Sequence, residues 1–215
     1  MAAGIKVINN DGYLQIDENY SNLYLSRIVK LSLLPKETRL DYYILNLQDG
    51  EKLVGVCASK GEIVVEDLFY QHADNVKYYV LFKGNAEDVM LYIYGEKPTS
   101  TGKSGFRVFD AKGACVFDSN YKYMRIVKFS NATSDSYTLD ASKKYAVCTF
   151  GYNILIIENS QPFGVAYFYT MPIIENNRLE VVAIHTQDGK IIDHWLTQRV
   201  YGSFNMFSYF LIDVT

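Results

Sequence analysis

The sequence predicts an all-β protein made of two tandem, duplicated antiparallel domains of β-sandwich type. Three observations predict it. Apolar and polar residues alternate with a period of two in short runs bounded by turn residues, which is the pattern of strands with one buried face. The chain carries 19 Tyr and 12 Phe but a single Trp, a skew that favours strands over long helices. Finally, the stretch GIKVINNDGYLQIDENY that begins at Gly4 returns at Gly105 as GFRVFDAKGACVFDSNY.

Laid over each other without a gap, the two stretches match Gly4, Val7, Gly12, Asp17, Asn19 and Tyr20 with identical residues, and Ile5, Lys6, Ile8, Asn9 and Ile16 with similar ones. After a three-residue deletion in the second copy, Arg27, Ile28, Val29 and Lys30 match Arg125, Ile126, Val127 and Lys128. Further on, Val56-Cys57 fall about where Val147-Cys148 do. A period of roughly 100 residues is too long for a solenoid and suits a tandem domain. The segment GEKPTSTGKSG between the copies has the composition of a solvated linker. The expected division is a first β domain over 1–97, a linker over 98–104 and a second β domain over 105–215.

Each half opens with a β-hairpin: IKVI and YLQI flank Asn9-Asn10-Asp11-Gly12, and FRVF and ACVF flank Asp110-Ala111-Lys112-Gly113. Asn or Asp caps such a turn through its side chain, and Gly at its end takes the positive φ that other residues resist. In the first half, strands follow at Leu23–Leu31, Asp41–Asn46, Leu53–Ala58, Glu62–Glu66, Tyr78–Lys83 and Val89–Tyr94, with a short helical turn in Val65–Asn75. The second half offers Met124–Phe129, Tyr145–Phe150, Asn153–Glu158, Gly164–Tyr169, Leu179–His185, Ile191–His194 and Phe207–Asp213.

Little in the sequence carries chemistry. The net charge of −3, with Lys and Arg scattered singly, lacks the basic stripe of a nucleic-acid binder. No apolar run reaches the roughly 20 residues of a membrane helix, and MAAGIKVINND lacks a signal peptide's regions, so a cytoplasmic origin is expected. Cys57, Cys115 and Cys148 are odd in number and sit in apolar runs, as buried free thiols do. Thr101-Gly102-Lys103-Ser104 resembles the end of a phosphate loop, but Gly95 is too far upstream and a strand, not a helix, follows, so it is linker. His185 and His194, near Asp188 and Asp193, lack metal-ligand spacing. Neither a nucleophile elbow nor a Cys–His pairing is present; Glu66, Asp67, Glu87 and Asp88 read as solvated, and Asn131-Ala132-Thr133 as a polar turn. No catalytic, cofactor-binding or metal-binding residue is expected, and no cofactor.

The aromatic residues of FNMFSYF (Phe204–Phe210), Tyr42-Tyr43 and Tyr78-Tyr79 place rings on both faces of strands. One face serves the core; the other is expected to meet solvent or a partner.

The pattern in Gly105–Ser119 of Gly, apolar, basic, Val, apolar, Asp, then Gly, then Val-Phe-Asp-Ser resembles the N-terminal signature of small tail-associated proteins of tailed bacteriophages. The likeness is strongest over Gly105–Phe129 and more dilute over Gly4–Leu31, and two copies depart from the family's single opening. The resemblance implies a β-rich, non-enzymatic virion component near the tail tip, baseplate or fibres. Its partners would be other tail proteins and copies of itself, and it would assemble in the host bacterial cytoplasm. The alternatives are a module binding a host-surface glycan or receptor through tyrosines and, behind that, a hydrolase. No catalytic residue comes with the resemblance.

Overall fold

The structure, a computed structural model, describes residues 6–8, 14–17, 23–36, 42–58, 62–66, 77–83, 85–96, 104–131, 136–150, 154–158, 165–175, 177–187, 190–196 and 208–215. Among them the helical segments are two 3₁₀ turns, Leu31–Leu33 and Ala86–Asp88. The first half supplies β1 (Lys6–Ile8), β2 (Leu14–Asp17), β3 (Tyr24–Lys30), β4 (Tyr42–Asn46), β5 (Glu51–Ala58), β6 (Glu62–Glu66), β7 (Lys77–Lys83) and β8 (Val89–Gly95). The second supplies β9 (Arg107–Phe109), β10 (Cys115–Asp118), β11 (Arg125–Ser130), β12 (Ser136–Thr138) and β13 (Tyr145–Phe150). It continues with β14 (Ile154–Glu158), β15 (Val165–Glu175), β16 (Arg178–Gln187), β17 (Lys190–Leu196) and β18 (Ser208–Asp213). The protein is thus all-β with antiparallel sheets. Val65 and Glu66, where a helical turn was expected to begin, belong to β6; the rest of that segment, like most of the 98–104 linker, lies outside the described residues.

The halves do not keep separate sheets. One six-stranded sheet runs β11-β18-β13-β5-β8-β3, joined at its centre where Val147 of β13 pairs with Val56 of β5. Its far edges also approach each other: Tyr24, at the start of β3, bridges Tyr123, just before β11. Leu25 N donates to Lys122 O at 2.6 Å and Met124 N to Leu23 O at 2.9 Å. The sheet therefore curls, stopping short of a closed barrel because its edges share only this bridge.

Alternation along each strand explains the packing. On the inner, concave face Tyr92, Tyr94, Ala146, Cys148 and Ile212 form one core to which both halves contribute. On the outer face the intervening residues divide. Val54, Val56, Val89, Leu91 and Ile93 pack with Leu45 and Val80 of the β4-β7-β6 sheet. Tyr145, Val147, Tyr209 and Leu211 pack with Leu179 and Val181 of β16, which belongs to the sheet β12-β16-β15-β14. β12 and β17 pair with successive stretches of β16. Small residues line the inner face at the seam: a Cβ on Gly55 would stand 3.2 Å from Ala146 Cβ and 3.4 Å from Ile212 Cδ1.

Outward from the seam, β5, β8, β3 on one side answer β13, β18, β11 on the other, so Val56-Cys57 and Val147-Cys148 occupy matching central positions. The hairpins match as well. β1 and β2 pair Lys6↔Asp17, Val7↔Ile16 and Ile8↔Leu14; β9 and β10 pair Arg107↔Asp118, Val108↔Phe117 and Phe109↔Cys115. Both have their irregularity at the same step of the register.

Candidate functional site

Beside the Tyr24–Tyr123 bridge the curl leaves an open mouth, a pocket of about 420 Å³ lined by Leu25 and Ile28 of β3, Tyr92 and Tyr94 of β8, Arg125 of β11 and Asp213 of β18. Sites for small molecules occupy about 300–1,000 Å³. Local register builds it. β3 is irregular between Leu25 and Arg27, so Leu25 lies opposite Tyr94 and Ile28 opposite Tyr92, while Arg27 lies opposite Ile93, whose side chain belongs to the outer core. Both halves are needed: β3 and β8 form one wall, β11 and the end of β18 the other.

Its charges are organised around one carboxylate. Arg125 Nη2 donates to Asp213 Oδ1 at 3.1 Å and to Thr215 O at 2.9 Å, and Lys143 Nζ stands 3.4 Å from Asp213 Oδ2. Burial pushes the Asp213 carboxyl up, but the hydrogen bonds from Thr215 and the charges of Arg125 and Lys143 outweigh it and hold the group below the usual range. Lys122, also at the mouth, is exposed and makes no ion pair among the described residues. Two cations face one anion at the pocket wall.

Tyr92 and Tyr94 are 9% and 3% exposed. Burial, then the neighbouring Cys57, raises the Tyr92 hydroxyl above its ordinary value. For Tyr94 burial leads, with Tyr92, Cys148 and Asp213 adding and Arg125 opposing, and the shift is larger. Both remain neutral phenols, able to donate and to accept. Neither hydroxyl has a hydrogen-bond partner among the described residues, although both side chains line the pocket.

The hairpin at Gly105–Ser119 is explained by its own structure. Asp110 Oδ1 accepts from Lys112 N and Ala114 N, both at 2.8 Å, and Gly113 takes a φ of 81°. Val108 and Val116 are buried. Asp118, fully buried, accepts from Asn120 N at 2.9 Å, Arg107 Nε at 2.7 Å and Asn120 Nδ2 at 2.7 Å. The Asn120 N–H foremost, then Arg107 and the Asn120 amide, outweigh desolvation and hold its carboxyl low. Ser119 Oγ accepts from Phe106 N at 2.9 Å. These residues shape a hairpin, and it leaves Phe106 and Phe109 exposed at its surface. Ile8, which matches Phe109 in the first hairpin, is exposed as well.

Compared with known proteins, the chain matches no family model, no curated protein and no solved structure.

The other sequence candidates are placed as follows. Cys148 is buried in the shared core, its thiol pushed up to about 12 by burial; Cys57 is half-buried and also raised by burial, and Cys115 is half-buried with its thiol 3.2 Å from Phe117 O. Of the phosphate-loop-like residues, Ser104 is described, and its carbonyl accepts from Asn120 Nδ2 at 2.7 Å. Glu87, exposed, is held by Lys30 on β3, and Asp88 accepts from Asn85 Nδ2 at 3.1 Å. The β16–β17 register sets His185 opposite Asp193 and His194 opposite Ile184. Among the described residues no group of three or more His, Cys, Asp or Glu could hold a metal, and no helix is long and apolar enough to cross a membrane. Asn131 is exposed; 132–135, Asp67, Asp188 and 204–207 lie outside the described residues.

The aromatic expectation changes for the end of FNMFSYF. Tyr209 is buried in the outer core of the second half and Phe210 packs in the shared inner core, its ring 5.2 Å from that of Phe129, so both faces of β18 are covered. The site tyrosines are instead Tyr92 and Tyr94, whose spacing in the segment YIY puts both on one face of β8.

Proposed function

We propose that this chain is a structural component of a bacteriophage tail, built from a duplicated hairpin-led unit and acting through contacts with other tail proteins and with copies of itself. The observation that carries the reading is the Gly105–Ser119 hairpin. Its signature residues are spent on holding its shape, while Phe106 and Phe109 face outward, at 49% and 51% exposure. A preformed hairpin with apolar side chains turned outward is a contact surface rather than a reaction site. The matched register of the first hairpin and the answering order of the six-stranded sheet support the duplication. Assembly would occur in the host cytoplasm, with incorporation at the tail.

Mass spectrometry of gradient-purified particles from the phage that encodes the chain tests this. Recovery in particles at a fixed ratio to known tail proteins is expected. Full recovery in the soluble lysate, with none in particles, would refute it.

A further inference from the structure

We propose that the mouth of the shared sheet is a binding site for a saccharide, with sugars carrying a carboxylate preferred over their neutral counterparts. The inference needs no part of the virion reading, because it rests on the pocket alone. Tyr92 and Tyr94 are more than nine-tenths buried, line the pocket and have no hydrogen-bond partner among the described residues. Among the described residues the buried side-chain atoms without a hydrogen-bond partner do not include either hydroxyl, so both reach the solvent of the pocket, where a polar ligand can pair with them.

The ligand's class follows from what the walls offer. Each tyrosine is nearly buried while its unpartnered hydroxyl is not, so the pair offers hydroxyls more than ring faces, which disfavours a stacked nucleobase and favours a partner with hydroxyls of its own. Leu25 and Ile28 provide an apolar side suited to the C–H face of a sugar ring. Asp213 is already engaged by Arg125 and Lys143, whereas Lys122 makes no ion pair among the described residues. The cation left over suits one carboxylate on the sugar. Phosphate would be held less well, because Arg125 is committed to Asp213 and the Thr215 carbonyl.

Titrating the full-length protein with glucose, glucuronic acid, inorganic phosphate and adenosine monophosphate, followed by ligand-observed NMR, tests the proposal. Glucuronic acid is expected to bind with a Kd on the order of 1 mM and glucose several-fold more weakly. Tyr92→Phe and Tyr94→Phe, which keep the ring and remove the hydroxyl, are each expected to weaken glucuronic acid binding about fivefold. Lys122→Gln is expected to erase the preference for the acidic sugar, bringing glucuronic acid to the affinity of glucose. Should a Phe variant fail to fold, the Lys122→Gln comparison still decides. No response to either sugar would overturn the proposal, as would tighter binding of phosphate or adenosine monophosphate, or sugar binding that the variants leave unchanged. Loss of the virion reading with sugar binding intact, or the reverse, separates the two claims.

Discussion

Replacing Gly55 with valine is the sharpest structural test, because the sign of its effect depends on the other half of the chain. Gly55 sits on the inner face of β5, and its added Cβ alone would lie 3.2 Å from Ala146 Cβ and 3.4 Å from Ile212 Cδ1, both from the second half. Valine adds two methyl groups beyond that point. Overpacking of this kind costs about 1–3 kcal/mol. Against it stands the loss of glycine's freedom in the unfolded chain, which favours the variant by about 0.4–1 kcal/mol. The net expectation is a destabilisation of about 1–2 kcal/mol, which for a chain of this size lowers Tm by roughly 2–8 °C. For Gly55→Ala the same two effects nearly cancel, and Tm should stay within about 2 °C of the parent. Thermal unfolding followed by circular dichroism reads both. If β5 were an edge open to solvent, valine, a strong strand former, would stabilise it by up to about 1 kcal/mol. A rise in Tm for Gly55→Val would therefore refute the packing of one half against the other.

Other expectations follow from particular contacts. Glu51, which is nearly buried, accepts from Arg27 Nε and Nη2 at 2.8 and 3.0 Å, from Ser26 Oγ at 2.8 Å and from Gln48 N at 2.8 Å; Glu51→Gln should cost about 1.5–3 kcal/mol by urea denaturation. Burial pushes the Glu51 carboxyl up, yet these hydrogen bonds outweigh it and hold the pKa below its ordinary value, as happens at Asp213. Both groups thus contribute stability that is present above their unfolded values, about 4.3 for Glu and 3.9 for Asp, and is lost as pH falls through the lower folded values; Glu51→Gln should flatten that acid limb. Cys148, its thiol raised to about 12, should resist alkylation at pH 8 in the native protein and react on unfolding, as followed by mass spectrometry. Paired Ile8→Ser and Phe109→Ser changes, at exposed positions, should leave Tm within about 2 °C, and under the proposed tail role should reduce incorporation into particles.

Strand positions were legible because each buried strand keeps one parity: Val89, Leu91 and Ile93 face the outer core, and Met90, Tyr92 and Tyr94 the inner one. The turn at Asp110–Gly113 was legible because its capping aspartate and positive-φ glycine are local requirements. β12 escaped notice because its three residues are all exposed and have no apolar face to show. β15 runs through Pro172, a residue that ordinarily argues against a strand; it is tolerated beyond Tyr169, where pairing with β14 has ended and no ladder bond is lost on that side. The seam was not legible. Alternation fixes which residues face inward but not which strand lies next to β5, and one Val56↔Val147 pair joins stretches far apart in sequence. The pocket inherits that gap, since Tyr94 and Asp213 come together only once the sheet is shared.

The pocket depends on the halves forming one cooperative unit, and the single tryptophan, Trp195 on β17, allows this to be measured. Leu91→Ala removes a fully buried side chain from the core of the first half, at a cost of about 2–5 kcal/mol. Urea unfolding of the parent and of Leu91→Ala is followed at once by Trp195 fluorescence and far-UV circular dichroism. The shared sheet predicts that the tryptophan transition in the second half moves to lower urea together with the dichroism transition and by the same amount. A tryptophan transition that stays where it is in the parent, while part of the dichroism signal is lost earlier, would contradict it.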